Sequence, residues 1–103
     1  MILKYDIDID NTAIKNTLKK LTNQLYKLLP SREEGLDWEK PLTTLIEEIA
    51  GMERLIQEYQ EDLFLIYCKM EGLFILTKEE DFMLYRRTIF ECLGLINNII
   101  RQL

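Results

Sequence analysis

The most extended helical periodicity in the chain lies at residues 42–71, where apolar residues recur every three or four positions. This spacing puts them on one face of a helix. The members of this face are Leu42, Ile46, Ile49, Ile56, Leu63, Tyr67 and Met70. Two further positions of the same face carry Glu53 and Gln60. Because Gly51 and the stretch from Gln60 are expected breaking points, the pattern predicts a long or broken helix over 42–71.

Two more helices are predicted on either side of this stretch. Residues 12–29 carry apolar positions at an unbroken 4-3-4-3 spacing, and Pro30 is expected to end that helix. Residues 78–102 repeat in the same way, and Thr77 with Glu80 fits a capping box at their start. Residues 30–41 then form the connection between the first helix and the central one.

The N-terminus has a different pattern, because apolar and polar residues alternate strictly over residues 3–10. Such alternation is typical of a half-buried strand. The segment is expected to pair with Leu73–Leu76, to lie as an arm on the helices, or to pair with another chain. Taken together, the patterns predict a single all-α domain over residues 1–103. It would be an antiparallel three- or four-helix bundle with a short N-terminal extended strand or arm at 1–10.

Charge and cysteine content narrow the classes of partner and location. The 103 residues carry a net charge of −5, so direct nucleic-acid binding is not expected. The charge is uneven, with four lysines in residues 11–30 and a net −7 in residues 31–62. Cys68 and Cys92 both lie in apolar helical patterns, which predicts reduced core cysteines and a cytoplasmic protein. The apolar runs are too short to cross a membrane.

The residue types offer little for catalysis. The chain has no histidine, and it contains no glycine-rich phosphate loop and no Cys-x-x-Cys pair. Helical magnesium-dependent nucleotide hydrolases hold the metal with an E-x-x-E pattern followed by E-x-x-D. Glu58 and Glu61 match its first half, but no second half follows. We therefore expect no enzyme, and we assign no catalytic residue, metal ligand or cofactor.

The candidate binding residues are polar or aromatic side chains at positions that the pattern places near the core. Glu53 and Arg86 would face each other on two packed helices, either as an ion pair that sets helix register or as part of a ligand pocket. That pocket would be built on Glu53, Gln60, Tyr85 and Arg86. Trp38, which is flanked by charged residues, would plug one end of the bundle or anchor a partner.

These features predict a small acidic protein-interaction module. Its size, acidity and residue usage favour an inhibitor or adaptor of phage or mobile-element type that covers a partner protein with residues 31–62. Two alternatives stay open: an oligomeric protein that sequesters a small ligand or nucleotide, and a carboxylate and Mg²⁺-dependent nucleotide hydrolase. Four leucines lie away from the main apolar face (the stripe) of the helix that carries them, and such off-stripe leucines predict a homodimer or small homo-oligomer. They are Leu55, Leu65, Leu84 and Leu95.

Overall fold

The computed structural model describes residues 10–56 and 58–103 and, for Leu55, the backbone alone. In this part the chain consists of α-helices joined by short turns, so the all-α prediction is confirmed there. The helices are α1 (Asn11–Tyr26), α2 (Leu28–Glu33), α3 (Glu39–Leu55), α4 (Gln60–Gly72) and α5 (Phe82–Gln102). The predicted strand at 3–10 lies, except for Asp10, outside the described residues.

The first predicted helix is divided into α1 and α2. At its start, Oδ1 of Asp10 accepts a hydrogen bond from the Thr12 N–H at 2.9 Å. At its end, Pro30 has no N–H to donate to the carbonyl of Tyr26, so the α-helical hydrogen bonds are interrupted there. Pro30 itself lies in the first turn of α2, where its missing donor costs nothing. The proline therefore ends the helix four residues earlier than its own position.

Residues 34–38 turn the chain from α2 into α3. Gly35 has φ of 73°, and its N–H donates to the Arg32 carbonyl while the Leu36 N–H donates to the Ser31 carbonyl. This pair of bonds is a Schellman motif, which requires a left-handed residue at the position of Gly35. Asp37 then caps α3, because its Oδ1 accepts from the N–H groups of Glu39 and Lys40 at 3.1 and 3.2 Å.

The 42–71 segment is broken into two helices that fold back on each other. The break does not occur at Gly51, which lies inside α3, but at Ile56 and Tyr59. Ile56 is extended, and Tyr59 has a left-handed backbone with φ of 63°. Gln60 at the start of α4 contacts the end of α3, whereas Phe74, just past α4, stacks on Trp38 just before α3. The two helices therefore run antiparallel.

The connection from α4 to α5 contains two single 3₁₀ turns, Leu73–Ile75 and Glu79–Asp81. Leu73–Leu76 was a possible strand partner for the N-terminal segment, and that prediction is wrong because Leu73–Ile75 form a 3₁₀ turn and the Leu76 N–H donates back to the Leu73 carbonyl. Leu73 is buried whereas Ile75 is 80% exposed. The second turn is closed by Asp81, whose Oδ2 accepts from the Lys78 N–H.

One cluster of buried residues joins all five helices. It includes Leu18 of α1, Leu28 of α2, Ile49 of α3, Ile66 of α4 and Ile89 of α5. Among the described elements, α1 packs on α5, α5 on α4, α4 on α3, and α3 again on α1. This cycle places the α3/α4 edge across the core from the α1/α5 edge. Apolar burial of this kind stabilises a domain by about 25 cal/mol per Å².

Candidate functional site

Trp38 and Tyr85, two of the predicted binding residues, are buried in an aromatic cluster at one end of the fold. The Trp38 ring meets the Tyr85 ring edge-on at 5.1 Å and stacks near Phe74 at 6.4 Å. Phe82 in turn stacks near Tyr85. Trp38 is only 9% exposed and Tyr85 is fully buried. Both side chains therefore contribute to the core, as expected for a residue that plugs the end of the fold.

Arg32 of α2 closes this cluster, although the sequence pattern did not single it out. Its Nη2 donates to the carbonyls of Leu76 and Lys78 at 2.9 and 2.7 Å. Its guanidinium also lies over the rings of Phe82 and Tyr85, 5.2 and 4.7 Å from their centroids. Arg32 thereby ties α2 to the turn before α5. In the sequence, the only feature that could have indicated this role is that Arg32 is the one arginine in a segment rich in carboxylates.

The Tyr85 hydroxyl is buried and has no hydrogen-bond partner among the described residues. Burial raises the pKa of Tyr85 to about 12, since the phenolate would lose its hydration, and the positive charge of Arg32 opposes this shift. The hydroxyl therefore stays protonated at neutral pH. It does not face a groove shared with the other predicted site residues.

The structure does not bring Glu53 and Arg86 together, so the predicted ion pair is wrong. Glu53 is half-buried on α3 beside α4, whereas Arg86 is exposed on α5 with its guanidinium 4.7 Å from the Phe90 ring centroid. Among the described residues, the salt bridge joins Lys69 of α4 to Glu91 of α5 instead, at 2.5 Å. Arg86 directly follows Tyr85, so it lies off the buried row of Tyr85, Ile89 and Cys92 on α5 and is exposed to solvent. Its spacing from Phe82 and Ile89 had placed it too close to the core.

The predicted four-residue pocket is likewise not assembled. Gln60 does lie near Glu53, because its Nε2 donates to the Glu53 backbone carbonyl at 3.4 Å. This weak contact joins the end of α3 to the start of α4. Tyr85 is in the core and Arg86 is on a different surface, so the four side chains do not share one cavity.

A groove of about 490 Å³ lies between α3 and α4. Its lining repeats at helical spacing on both sides, which leaves two parallel rows of side chains. Apolar contacts come from Ile46 and Ala50 on α3, from Phe64 and Tyr67 on α4, and from Phe74 beyond it. Phe64 is 58% exposed and stacks near Tyr67 at 6.4 Å. A large aromatic side chain thus stands in solvent beside the groove.

Charged residues give this groove a negative potential. Glu47, Glu53 and Glu71 line it, and Arg54 is the one basic group among its described lining residues. A hydrogen bond to Glu71 and the charge of that carboxylate raise the pKa of the Tyr67 hydroxyl. We call this surface, with its aromatic and carboxylate lining, the acidic groove. Its composition suits a cationic group attached to an apolar body.

Sequence periodicity missed the aromatic part of the acidic groove. Phe64, Tyr67, Glu71 and Phe74 follow a second 3-4-3 spacing beside the buried row of α4. That second row was visible in the sequence, but Tyr67 was assigned to the core stripe. Once α4 is a separate helix, Leu63, Ile66 and Met70 form its buried row, and Tyr67 moves to the groove.

A second surface of opposite charge lies on α5. Met83, Leu84, Arg86, Arg87 and Phe90 line a shallow depression there, together with Glu80 at its edge. We call these five α5 residues the basic face. Met83 is 69% exposed and Leu84 is 49% exposed. The Tyr26 ring of α1 meets the Phe90 ring edge-on at 6.1 Å and extends the apolar area.

The off-stripe leucines and the cysteines have different environments. Leu84 and Leu65 are exposed, whereas Leu95 is half-buried against the core, and the side chain of Leu55 lies outside the described part. Cys92 is buried, as predicted for a core residue. Cys68 is exposed on α4, so its assignment to the core is wrong, because it lies on the side of α4 opposite the buried row of Leu63, Ile66 and Met70.

No protein-family model, curated protein or solved structure matches this chain. Within residues 10–56 and 58–103, no three carboxylates or cysteines are grouped so that they could hold a metal ion. No helix of the described part is long and apolar enough to span a membrane.

Proposed function

We propose that this chain is a protein-interaction module whose acidic groove binds a basic amphipathic helix of a partner protein. The observation that carries the proposal is the groove itself, which combines exposed aromatic rings with three carboxylates along two antiparallel helices. A helix lying in such a groove would bury apolar anchors at every third or fourth position. Its lysines or arginines would meet Glu47, Glu53 and Glu71.

The shape of the groove supports a helix as the occupant. On α3 its lining extends from Thr43 to Arg54, which corresponds to about 16 Å of helix axis at 1.5 Å per residue. Ala50 lies midway along this side, and its small side chain lets a partner backbone approach closely. Phe64 is positioned as the exposed aromatic anchor, since aromatic residues are enriched at the centres of protein interfaces. An inhibitor or adaptor built on a helical bundle would act in this way by covering a basic surface of its target.

A peptide titration tests the proposal. The probe is a fluorescent amphipathic helical peptide with leucine anchors and lysines on its flanks, compared with the same peptide carrying glutamates. We expect the basic peptide to bind with an affinity that falls as salt is added, because the carboxylates are exposed to screening. Equal binding of the two peptides, or no binding of the basic one, would refute the charge-based proposal.

Matched variants localise the binding. Glu47 lines the groove, whereas Glu48 is its exposed neighbour on α3 outside the lining. Glu47→Lys should therefore weaken peptide binding, and Glu48→Lys, with the same change of net charge, should leave it nearly unchanged. Phe64→Ser should also weaken binding while the helix content seen by circular dichroism is retained. If Glu48→Lys weakened binding as much as Glu47→Lys, the effect would be one of net charge alone.

A further inference from the structure

The basic face has the side-chain arrangement of a helix that docks into a groove. Met83, Arg86, Arg87 and Phe90 stand at i, i+3, i+4 and i+7 of α5, so they share one side of the helix. The two apolar residues flank two guanidinium groups, and Arg86 covers part of the Phe90 ring. This pattern of apolar anchors and cations matches the basic amphipathic helix that we propose as the occupant of the acidic groove.

The two surfaces are complementary in charge and in length. The groove carries three carboxylates and one guanidinium, and the α5 depression carries two guanidinium groups and one carboxylate, Glu80. The single charge of opposite sign on each surface is also peripheral: Arg54 lies at the end of the groove, and Glu80 lies at the edge of the depression. Met83 to Phe90 spans about 10 Å of helix, which fits within the roughly 16 Å of the α3 side.

The order of helices around the core separates the two surfaces. The acidic groove lies on the α3/α4 edge, and the basic face, with Tyr26 beside it, lies towards the α1/α5 edge. Because these edges are on opposite sides of the core, one copy cannot fill its own groove. An interface between unlike surfaces on opposite sides leaves a free groove and a free face at the two ends of any assembly that does not close into a ring.

We propose that the basic face of one copy docks into the acidic groove of a second copy, so that the protein forms head-to-tail chains. This inference rests on the proposed function, since the partner helix and α5 occupy the same groove. Self-association then competes with partner binding, and a partner helix of higher affinity releases single copies. The occupant of the groove in the isolated protein is therefore α5 of a neighbouring copy.

Sedimentation velocity and light scattering test the inference on the full chain. The wild-type mass should rise above the 12.3 kDa of one copy as loading increases from micromolar to submillimolar, and it should continue past two copies. High salt should reverse this rise. A mass that stays at one copy, or that stops at two copies, would overturn head-to-tail assembly.

Charge reversal on each surface gives the decisive comparison. Glu47→Lys with Glu53→Lys, or Arg86→Glu with Arg87→Glu, should weaken association by about tenfold or more, because like charges then face each other. All four changes in one chain should restore it, because the groove becomes basic and the face becomes acidic. Failure of this restoration, with each variant still folded by circular dichroism, would overturn the docking of these two surfaces.

Control variants and the peptide separate this inference from the proposed function. Glu48→Lys and Arg101→Glu change charge on the same two helices outside both surfaces, so they should leave association unchanged. The Arg86→Glu, Arg87→Glu variant keeps its groove and should still bind the basic peptide. If it binds the peptide while the wild type stays monomeric, the head-to-tail inference fails and the proposed function stands. If the wild type assembles but this variant does not bind the basic peptide, the proposed function fails and head-to-tail association stands.

Discussion

The guanidinium carbon of Arg32 lies 4.7 Å from the centroid of the Tyr85 ring. The same guanidinium donates to the carbonyls of Leu76 and Lys78. One side chain thus joins α2, the turn before α5 and the aromatic cluster at the end of the core. A cation over an aromatic face is stabilised by the ring quadrupole, and a planar guanidinium can stack and donate at once.

Arg32→Ala should lower the free energy of unfolding by about 2–4 kcal/mol, because it removes two charge-assisted hydrogen bonds and uncovers Tyr85. Arg32→Lys should recover only part of this loss, since an ammonium group does not stack as a plane. Urea denaturation measures both changes. Lys40→Ala, at an exposed position of α3, is the control and should stay within about 0.5 kcal/mol of the wild type. A similarly small effect of Arg32→Ala would mean that this contact is not maintained in solution.

Tyr85→Phe should leave the free energy of unfolding at pH 7 unchanged or raise it by up to about 1 kcal/mol. The Tyr85 hydroxyl has no partner among the described residues, so its removal relieves a buried polar group. Tyr85→Ala, in contrast, should cost about 3–5 kcal/mol through the cavity that it leaves. A loss above about 1 kcal/mol in Tyr85→Phe would show that the hydroxyl is hydrogen-bonded.

Stability should fall as the pH rises from about 9 to 12. Burial raises the pKa of Tyr85 to about 12 from 10.0, and burial raises that of Cys92 to about 12 from 9.0. In this window the unfolded chain loses protons that the folded chain keeps, so the free energy of unfolding decreases. The slope is at most about 1.4 kcal/mol per pH unit for each group. Urea titrations across this range should show a smaller slope for Tyr85→Phe and for Cys92→Val; unchanged slopes would assign the loss to other groups.

Substitution by alanine should change stability in opposite directions at two glycines. Gly35→Ala should cost about 1–2 kcal/mol, because Gly35 has φ of 73° in the Schellman motif. Gly51→Ala should stabilise by about 0.5–1 kcal/mol, because Gly51 lies inside α3 and an added Cβ meets no described atom within 4 Å. Thermal unfolding of the two variants measures both changes in stability. A stabilising Gly35→Ala would show that the turn does not need its left-handed residue.

A double-mutant cycle on Glu53 and Arg86 should give no coupling, since the two lie on different surfaces. Glu53→Ala alone should change stability by less than about 1 kcal/mol, as expected for a half-exposed unpaired group. The parallel cycle on Lys69 and Glu91, which are 2.5 Å apart, should give a small coupling at low salt that weakens as salt is added. Coupling between Glu53 and Arg86 that exceeded this coupling would restore the original ion-pair hypothesis.

The helical class and the buried rows of α1 and α5 follow from the sequence alone. Ile14, Leu18, Leu21 and Leu25 are buried as their spacing predicts, and so are Tyr85, Ile89, Cys92 and Ile96. Within a continuous helix the periodicity is a local property of 3.6 residues per turn, so it can be read without knowledge of the partners. The predicted strand at the N-terminus and the description of the fold as an antiparallel three- or four-helix bundle stay predictions.

Tertiary structure decided where the 42–71 segment turns and therefore which surfaces exist. The left-handed conformation of Tyr59 reverses the chain, which turns a predicted continuous stripe into two rows that face each other across the acidic groove. For the same reason Tyr67, which a continuous helix would place in the core, lines the groove. Arg32 joins Tyr85 across more than fifty residues, a contact that no local pattern encodes. The spacing of apolar residues determines which face of each helix is apolar. The packing of the helices against one another determines which of these faces meet, because burial depends on partners that are distant in the chain.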